Sequence, residues 1–200
     1  MAAGMLGIAD EGVSIVAYAT LDERQRVDVD RAFDRIFFAA SSVQSFRDAA
    51  HREAFRWLWL GRYLAQEPTE AFAAIVDDEV CGYLVGSLID PAPRAAFREL
   101  TYFQDFAAAT AQYPAHLHIN VDERFRSFGI GGRLIERFGA HASAKRVGGM
   151  HIVTGDGMRN VGFYTRLGFH EVARAPRNGG VVVMLAKLLD GDRPFGQEAT

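Results

Sequence analysis

The stretch that decides the fold is HINVDERFRSFGIGGRLIERF, residues 118–138. It opens with a strand-like run, carries Gly129, Gly131 and Gly132 at its centre, and closes with apolar residues at helical spacing. The first turn of a helix has unpaired backbone N–H groups, and glycine lets the main chain approach a phosphate closely. The stretch therefore predicts a strand, an anion-binding turn and a helix in succession.

Two familiar phosphate loops do not fit this turn. An ATP-binding loop needs a lysine followed by a hydroxyl residue after its glycines, and neither is present. A dinucleotide fingerprint needs a third glycine where this sequence has Leu134. The remaining pattern is Arg126-x-x-Gly129-x-Gly131, which fits a pyrophosphate held by main-chain donors.

The rest of the chain predicts alternating strands and helices in one mixed α/β domain. Alternating or continuous apolar runs indicate strands, and periodic apolar residues indicate helices. The predicted strands are 13–19, 71–76, 80–88, 115–121, 150–155 and two closing strands in FHEVARA and VVVMLAKLL; the helical segments are 28–64, 97–112, the segment after the glycines, and 158–167. Asp77, Asp78 and Glu79 predict a hairpin turn, and Thr20 with the acidic residues after it predicts a helix start.

A second motif comes after the glycine turn. It consists of Asn160, the aromatic pair Phe163 and Tyr164, and a closing Gly168-Phe169. In this order and spacing, the two motifs resemble those of the GCN5-related N-acetyltransferases, the GNAT superfamily. The resemblance implies one domain over residues 1–189, with a mixed, mostly antiparallel central sheet of about six to seven strands flanked by helices. Residues 190–200 are predicted to be a flexible tail.

The resemblance also implies acetyl-CoA as the cosubstrate and an N-acetyltransferase (acyltransferase) activity by direct attack of an amine. Main-chain groups of the glycine turn would hold the pyrophosphate, the strand before it would pair with the pantetheine arm, and the second motif would add contacts. The implied binding residues are Ile119, Val121, Arg126, Ser127, Phe128, Gly129, Ile130, Gly131, Gly132, Asn160, Phe163 and Tyr164. Tyr164 would also give a proton to the departing thiolate.

The general base is left open by the sequence. His116, His118 and Asn120 alternate, so they share one face of the strand. An imidazole, whose ordinary pKa is about 6.5, suits removal of the amine proton directly or through water, and a histidine in this strand equally suits a packed position under neighbouring helices. Further carboxylate candidates are Asp122, Glu123 and Asp156.

A narrower likeness suggests an alternative function. The segment YPAHLHIN, residues 113–120, is similar to the corresponding segment of the acetyltransferase-like domain of O-GlcNAcase and its bacterial relatives. In some of those the cofactor site is degenerate, which implies a catalytically inactive acyl-CoA-binding or interaction module. The intact glycine turn favours acetyl-CoA binding here.

Composition restricts the partners. A net charge of −3 gives no general attraction for nucleic acid or an anionic membrane. The single Cys81 lies in an apolar run, which predicts a buried, inert thiol. A cytoplasmic protein without a metal is expected, with a small-molecule or peptide amine as acceptor, and the family resemblance is compatible with a homodimer. Candidate acceptor-site aromatics, each of which also suits a core position, are Trp57, Trp59, Tyr63, Tyr102, Phe103 and Phe106.

Overall fold

Seven strands form one sheet in the computed structural model, which describes residues 12–177 and 179–189. They are β1 Val13–Ala17, β2 Ala71–Val76, β3 Glu79–Ser87, β4 Ala115–Val121, β5 Gly149–Gly155, β6 His170–Arg177 and β7 Gly180–Leu188. Their order in the sheet is β1-β2-β3-β4-β5-β7-β6. The β1–β2, β2–β3, β5–β7 and β6–β7 pairs are antiparallel, and β4–β5 is parallel. The predicted α/β class with a mostly antiparallel sheet is confirmed.

The helices lie between the strands along the chain. They are α1 Glu23–Ala40, α2 Ala49–Arg56, α3 Arg62–Gln66, α4 Tyr102–Asp105, α5 Ala107–Gln112, α6 Ile130–Ala144 and α7 Arg159–Arg166. α1 begins three residues after Thr20 because Asp22 caps it: Asp22 accepts from the Gln25 N–H while the Gln25 side chain accepts from the Asp22 N–H.

Two of the predicted helical segments are interrupted. The segment 28–64 stops at Ala40 and resumes at Ala49. The segment 97–112 breaks into a 3-10 turn at Ala95–Phe97, then α4, then α5. Phe106 leaves helical geometry between α4 and α5, with φ −105° and ψ 14°. Four aromatic rings within ten residues are buried here: Phe97, Tyr102, Phe103 and Phe106. Burial of all four rings determines the backbone path of this segment and overrides its helical periodicity.

The shape of the β2–β3 hairpin is set by its turn residues. Asp77 and Asp78 both have positive φ, 48° and 62°. Two consecutive left-handed residues match the right-handed twist of the flanking strands, and aspartate tolerates that conformation better than most side chains. The predicted hairpin is confirmed, with Glu79 already in β3.

The chain divides into two units. The first comprises residues up to Gly86 together with His118–Phe138, and the second comprises Ser87–Leu117 together with residues from Gly139 onward. The first therefore carries the end of β4 and the glycine turn, and the second carries α7. The tail predicted at 190–200 and the first eleven residues lie outside the described part of the chain.

Candidate active site

The glycine turn is built on the end of β4. Gly82 in β3 makes room for it, because a Cβ there would stand 3.2 Å from the Asn120 carbonyl oxygen and 3.5 Å from a methyl carbon of Ile130. The Asp122 N–H donates to the Cys81 carbonyl at 2.8 Å. β3 thereby fixes both the strand that enters the turn and the helix that leaves it.

The turn itself has the backbone of an anion cradle. Ser127 and Gly129 both have positive φ, 70° and 75°. For a serine this conformation costs on the order of 1 kcal/mol, so the surrounding structure must hold it in place. Within the described residues, no hydrogen bond engages the backbone N–H groups of 129–132. Ile130 is 1% exposed and anchors the start of α6 in the core. Several main-chain donors are thus free at one helix N-terminus.

Asp122 stabilises the entry to this turn. Its carboxylate, 6% exposed, accepts from Arg124 Nε at 3.0 Å and Nη2 at 2.8 Å, and also from Arg35 of α1. Hydrogen bonds from Arg124 first, and from Arg35, hold its pKa well below the usual range despite the opposing effect of burial. Such a carboxylate is a weak proton acceptor at neutral pH, which disfavours Asp122 as the base. Glu123 is exposed on the same 3-10 turn, Glu123–Phe125.

His118 lies against aromatic side chains. Its ring centroid is 5.1 Å from that of Trp59 and 5.5 Å from that of Tyr63. Tyr63 is fully buried, whereas Trp59 and His118 are half-buried. Trp57 is 41% exposed. Of the six aromatic candidates for the acceptor site, therefore, Tyr63, Tyr102, Phe103 and Phe106 are core residues, while Trp57 and Trp59 reach the surface.

Asn120, two residues after His118 in β4, belongs to a polar network. Its Nδ2 donates to the Tyr83 hydroxyl at 2.8 Å. Burial raises the pKa of Tyr83, with Asp34 acting in the same direction and Arg56 in the opposite one. Asp34 in turn accepts from Arg56 Nε at 2.7 Å. Sequence patterns do not reveal this network, because its members come from separate elements.

His116 is in a different environment. It is 2% exposed, with its ring 4.8 Å from Phe97, 5.3 Å from Phe103 and 5.6 Å from His151, on which it stacks. His151 pairs in register with His116 and bonds to the Tyr113 carbonyl through Nδ1. Burial lowers the pKa of His151 to about 4, so its ring is neutral at physiological pH. The two histidines are part of an aromatic core.

The second motif lies on α7. Asn160 Oδ1 accepts from Thr154 Oγ1 of β5 at 3.0 Å, which ties the exposed start of α7 to that strand. Tyr164 is buried, with ring centroids 5.1 Å from Phe163 and 5.5 Å from Phe169. Burial raises the pKa of Tyr164 above its ordinary value, and its hydroxyl has no hydrogen-bond partner in the described chain.

The remaining candidates have ordinary surroundings. Asp156 is exposed and lies 3.5 Å from Arg174. Cys81 is buried as predicted, donates to the Ala74 carbonyl, and has its pKa raised to about 11 by burial. Residues 12–177 and 179–189 contain no group of three or more His, Cys, Asp or Glu side chains able to hold a metal ion, and no helix among them could cross a bilayer.

Known proteins share the fold of this chain. The solved structure of a protein named SsHAT matches 89% of this chain and 98% of its own, with a TM-score of 0.68 and 22% identity. A polyamine N-acetyltransferase from Drosophila melanogaster matches 88% of this chain and 100% of its own, with a TM-score of 0.62 and 13% identity. The ribosomal-protein-alanine N-acetyltransferase of Brucella melitensis matches 88% of this chain and 99% of its own, with a TM-score of 0.56 and 16% identity.

At these identities the structural likeness is one of fold. The sequence evidence is independent of it: a model of the acetyltransferase (GNAT) family matches residues 28–169. That range includes both motifs, the glycine turn and α7. Because the match covers well over half of the chain, the protein belongs to the acetyltransferase (GNAT) family.

Proposed function

We propose that the protein is an acetyl-CoA-dependent N-acetyltransferase that acts on a primary amine by direct attack. One observation carries the proposal: the backbone N–H groups of residues 129–132 have no partner in the described part of the chain, at a turn that keeps Ser127 and Gly129 at positive φ. An anionic ligand would satisfy these donors and offset the backbone strain. The pyrophosphate of coenzyme A is the anion that members of this family bring to such a turn.

The binding residues are assigned from the two motifs. Residues Arg126–Gly132 would hold the pyrophosphate. Ile119 and Val121 would pair with the pantetheine arm as an added strand; they lie at the end of β4, beyond Ala115 and His116, which pair with β5. Asn160, Phe163 and Tyr164 would contact the cofactor from α7. These assignments rest on the motif match.

The chemistry assigns a base and an acid. Acetyl-CoA, when bound, would supply the acetyl thioester. The amine nitrogen attacks the carbonyl carbon, so that the C–N bond forms as the C–S bond breaks. His118 takes the amine proton, since it is half-buried whereas His116 is enclosed in the aromatic core. Tyr164 gives a proton to the thiolate; a tyrosine hydroxyl is protonated at neutral pH, and burial raises the pKa of Tyr164 further.

Thiol release from acetyl-CoA with a panel of amines tests the proposal. The wild-type protein should release coenzyme A only when an amine is present. Tyr164→Phe should lower kcat by about 10²–10⁴-fold, the range for loss of a general acid, while acetyl-CoA still raises the melting temperature. Saturable acetyl-CoA binding with no thiol release from any amine would overturn the assignment of an enzyme.

Other expectations from the sequence remain predictions. The fold neighbours include enzymes named for agmatine, polyamine and protein-alanine acetylation, so both small-molecule and peptide acceptors fit the fold. The likeness to the O-GlcNAcase acetyltransferase-like domain, with its inactive alternative, has no structural observation in its favour. The cytoplasmic location and the homodimer are likewise predicted from sequence and resemblance.

A further inference from the structure

We propose that the acceptor is an arylalkylamine, a single primary amine carried on a flat aromatic body, and that Trp59 selects it. The inference rests on the proposed function and names its substrate class. It is drawn from the surroundings of His118 and Asn120: the ring that flanks His118, the backbone that presents that ring, and the charges nearby.

The aromatic neighbours of His118 differ in accessibility. Tyr63 is fully buried and supports the imidazole from the core. Trp59 is half-buried, and its ring meets the imidazole at 76°. Of the two, only Trp59 has surface left for a second ring to cover. An amine approaching His118 would therefore bring its substituent against an indole.

An irregular backbone presents this indole. Residues Trp57–Gly61 form a π-helical turn between α2 and α3, with the Arg62 N–H bonded to the Trp57 carbonyl five residues back. The extra residue rotates the downstream side chains by about 100° relative to a continuous α-helix. Gly61 accommodates it, because a Cβ there would stand 3.1 Å from Arg56 Nη1 and 3.2 Å from the Trp57 ring. Such turns are uncommon and are frequently found at functional sites.

The nearby carboxylates are already engaged. Asp34 accepts from Arg56 Nε at 2.7 Å, and Asp30 accepts from the Tyr18 hydroxyl at 2.9 Å. The charges of Asp34 and Arg56 act in opposite directions on the pKa of Tyr83, the hydrogen-bond partner of Asn120. A polyamine or agmatine needs anionic partners for its second cationic group. Asp34, already in an ion pair with Arg56, is a weaker partner for such a group than an unpaired carboxylate would be.

Asn120 completes the recognition of one amine. With Nδ2 donating to the Tyr83 hydroxyl, the amide is held in place and its Oδ1 is an acceptor for an N–H group. A neutral acceptor suits a single amine that must lose its proton before attack. The polar contact thus orients the nitrogen, and the indole of Trp59 orients the apolar body.

A matched pair of amines tests this directly. 2-Phenylethylamine and 2-cyclohexylethylamine have nearly the same size and reach, and only the first has an aromatic face; tryptamine, spermidine and agmatine complete the panel. The wild-type protein should show the highest kcat/KM for the two aryl amines. Trp59→Leu should cut the phenyl-over-cyclohexyl preference about tenfold, or about 1.4 kcal/mol, through the amine KM. Trp59→Phe should retain it.

Trp57→Leu is the matched control, since Trp57 belongs to the same π-helical turn but has no ring contact with His118 in the described chain. It should leave the preference unchanged. The acetyl-CoA-induced rise in melting temperature confirms that each variant is folded. Best turnover with spermidine or agmatine, or an equal loss for every amine in Trp59→Leu, would overturn the inference while leaving an N-acetyltransferase. Absence of turnover with all amines would instead refute the proposed function.

Discussion

Replacing Asp122 by Asn should destabilise the protein by about 2 kcal/mol. The substitution keeps volume and one acceptor oxygen but removes the charge that both Arg35 and Arg124 pair with. The side chains of Arg35 and Arg124 are 47% and 54% exposed. An ion pair between exposed side chains typically stabilises a protein by about 0.2–1 kcal/mol. The Asp122 carboxylate, however, is only 6% exposed. Its burial raises the expected stabilisation toward about 1.5–3 kcal/mol, the range for a hydrogen bond to a charged group. A loss of about 2 kcal/mol should lower Tm by roughly 4–8 °C at this chain length.

The effect should depend on pH in a defined direction. Because the folded-state pKa of Asp122 lies well below its usual range, its contribution is fully present above the unfolded-state pKa of about 3.9 and is lost as pH falls below it. At pH 3 the loss amounts to about 1.3 kcal/mol for one such group. The Asn variant lacks this contribution, so the difference in unfolding free energy between the two proteins should shrink from about 2 to about 0.7 kcal/mol at pH 3.

Urea unfolding at pH 7 and at pH 3 measures both quantities. Glu123→Gln is the control, since it removes the same charge from an exposed neighbour on the same 3-10 turn and should stay within about 0.5 kcal/mol of wild type. The ion-pair account of this turn is wrong if the Asp122 and Glu123 variants have the same free energy of unfolding. It is also wrong if the Asp122 variant loses as much stability at pH 3 as at pH 7.

Three further outcomes are expected. Gly129→Ala should lower the free energy of unfolding by about 1 kcal/mol, because φ at this position is 75°. It should also weaken acetyl-CoA binding, measured by calorimetry. Gly179→Ala is the control: with φ 78° in the β6–β7 turn, it should cost the same stability and leave binding unchanged. Gly149→Ala should destabilise the protein by about 1–3 kcal/mol or more in thermal melts, because the added Cβ would stand 2.6 Å from Tyr113 Cδ1. Gly148→Ala is the control: its Cβ would meet nothing within 4 Å, so it should leave stability unchanged. A thiol reagent at pH 8 should leave Cys81 unmodified until urea is added, because the thiol is buried and its pKa is raised to about 11; rapid labelling of the folded protein would contradict this.

The features that sequence predicts best are those decided by neighbouring residues. The strand 115–121 and the Asp77-Asp78 turn are set by side-chain alternation and by the residue types that accept positive φ. The glycine turn belongs to the same class, since glycine spacing and a helical pattern after it are local signals. Sequence places the start of α1 a little early, because Thr20 and Asp22 are both good caps and only Asp22 has Gln25 at the right distance to complete a capping box.

The features that sequence misses depend on residues far apart in the chain. The role of Asp122 depends on Arg35, 87 positions earlier, and the fixing of Asn120 depends on Tyr83, 37 positions earlier. Sequence patterns leave Asp122 among the candidate bases, since a carboxylate after a strand has no visible partner in the sequence. The sequence does not predict the π-helical turn at Trp57–Gly61 either. Its residues have ordinary helical spacing, and the turn differs from an α-helix only in its hydrogen-bond register.

The two histidines of β4 show how this limit bears on function. Strand alternation predicts that His116 and His118 share one face, and by residue type they are equivalent bases. Their difference comes from the partners that other segments supply: Phe97 and Phe103 enclose His116, whereas Trp59 leaves His118 half-buried. A base must exchange protons with its substrate, so accessibility decides between them where chemistry cannot. His118→Ala should therefore abolish amine-dependent turnover with little loss of stability, whereas His116→Ala should open a cavity in an aromatic core and act mainly on folding.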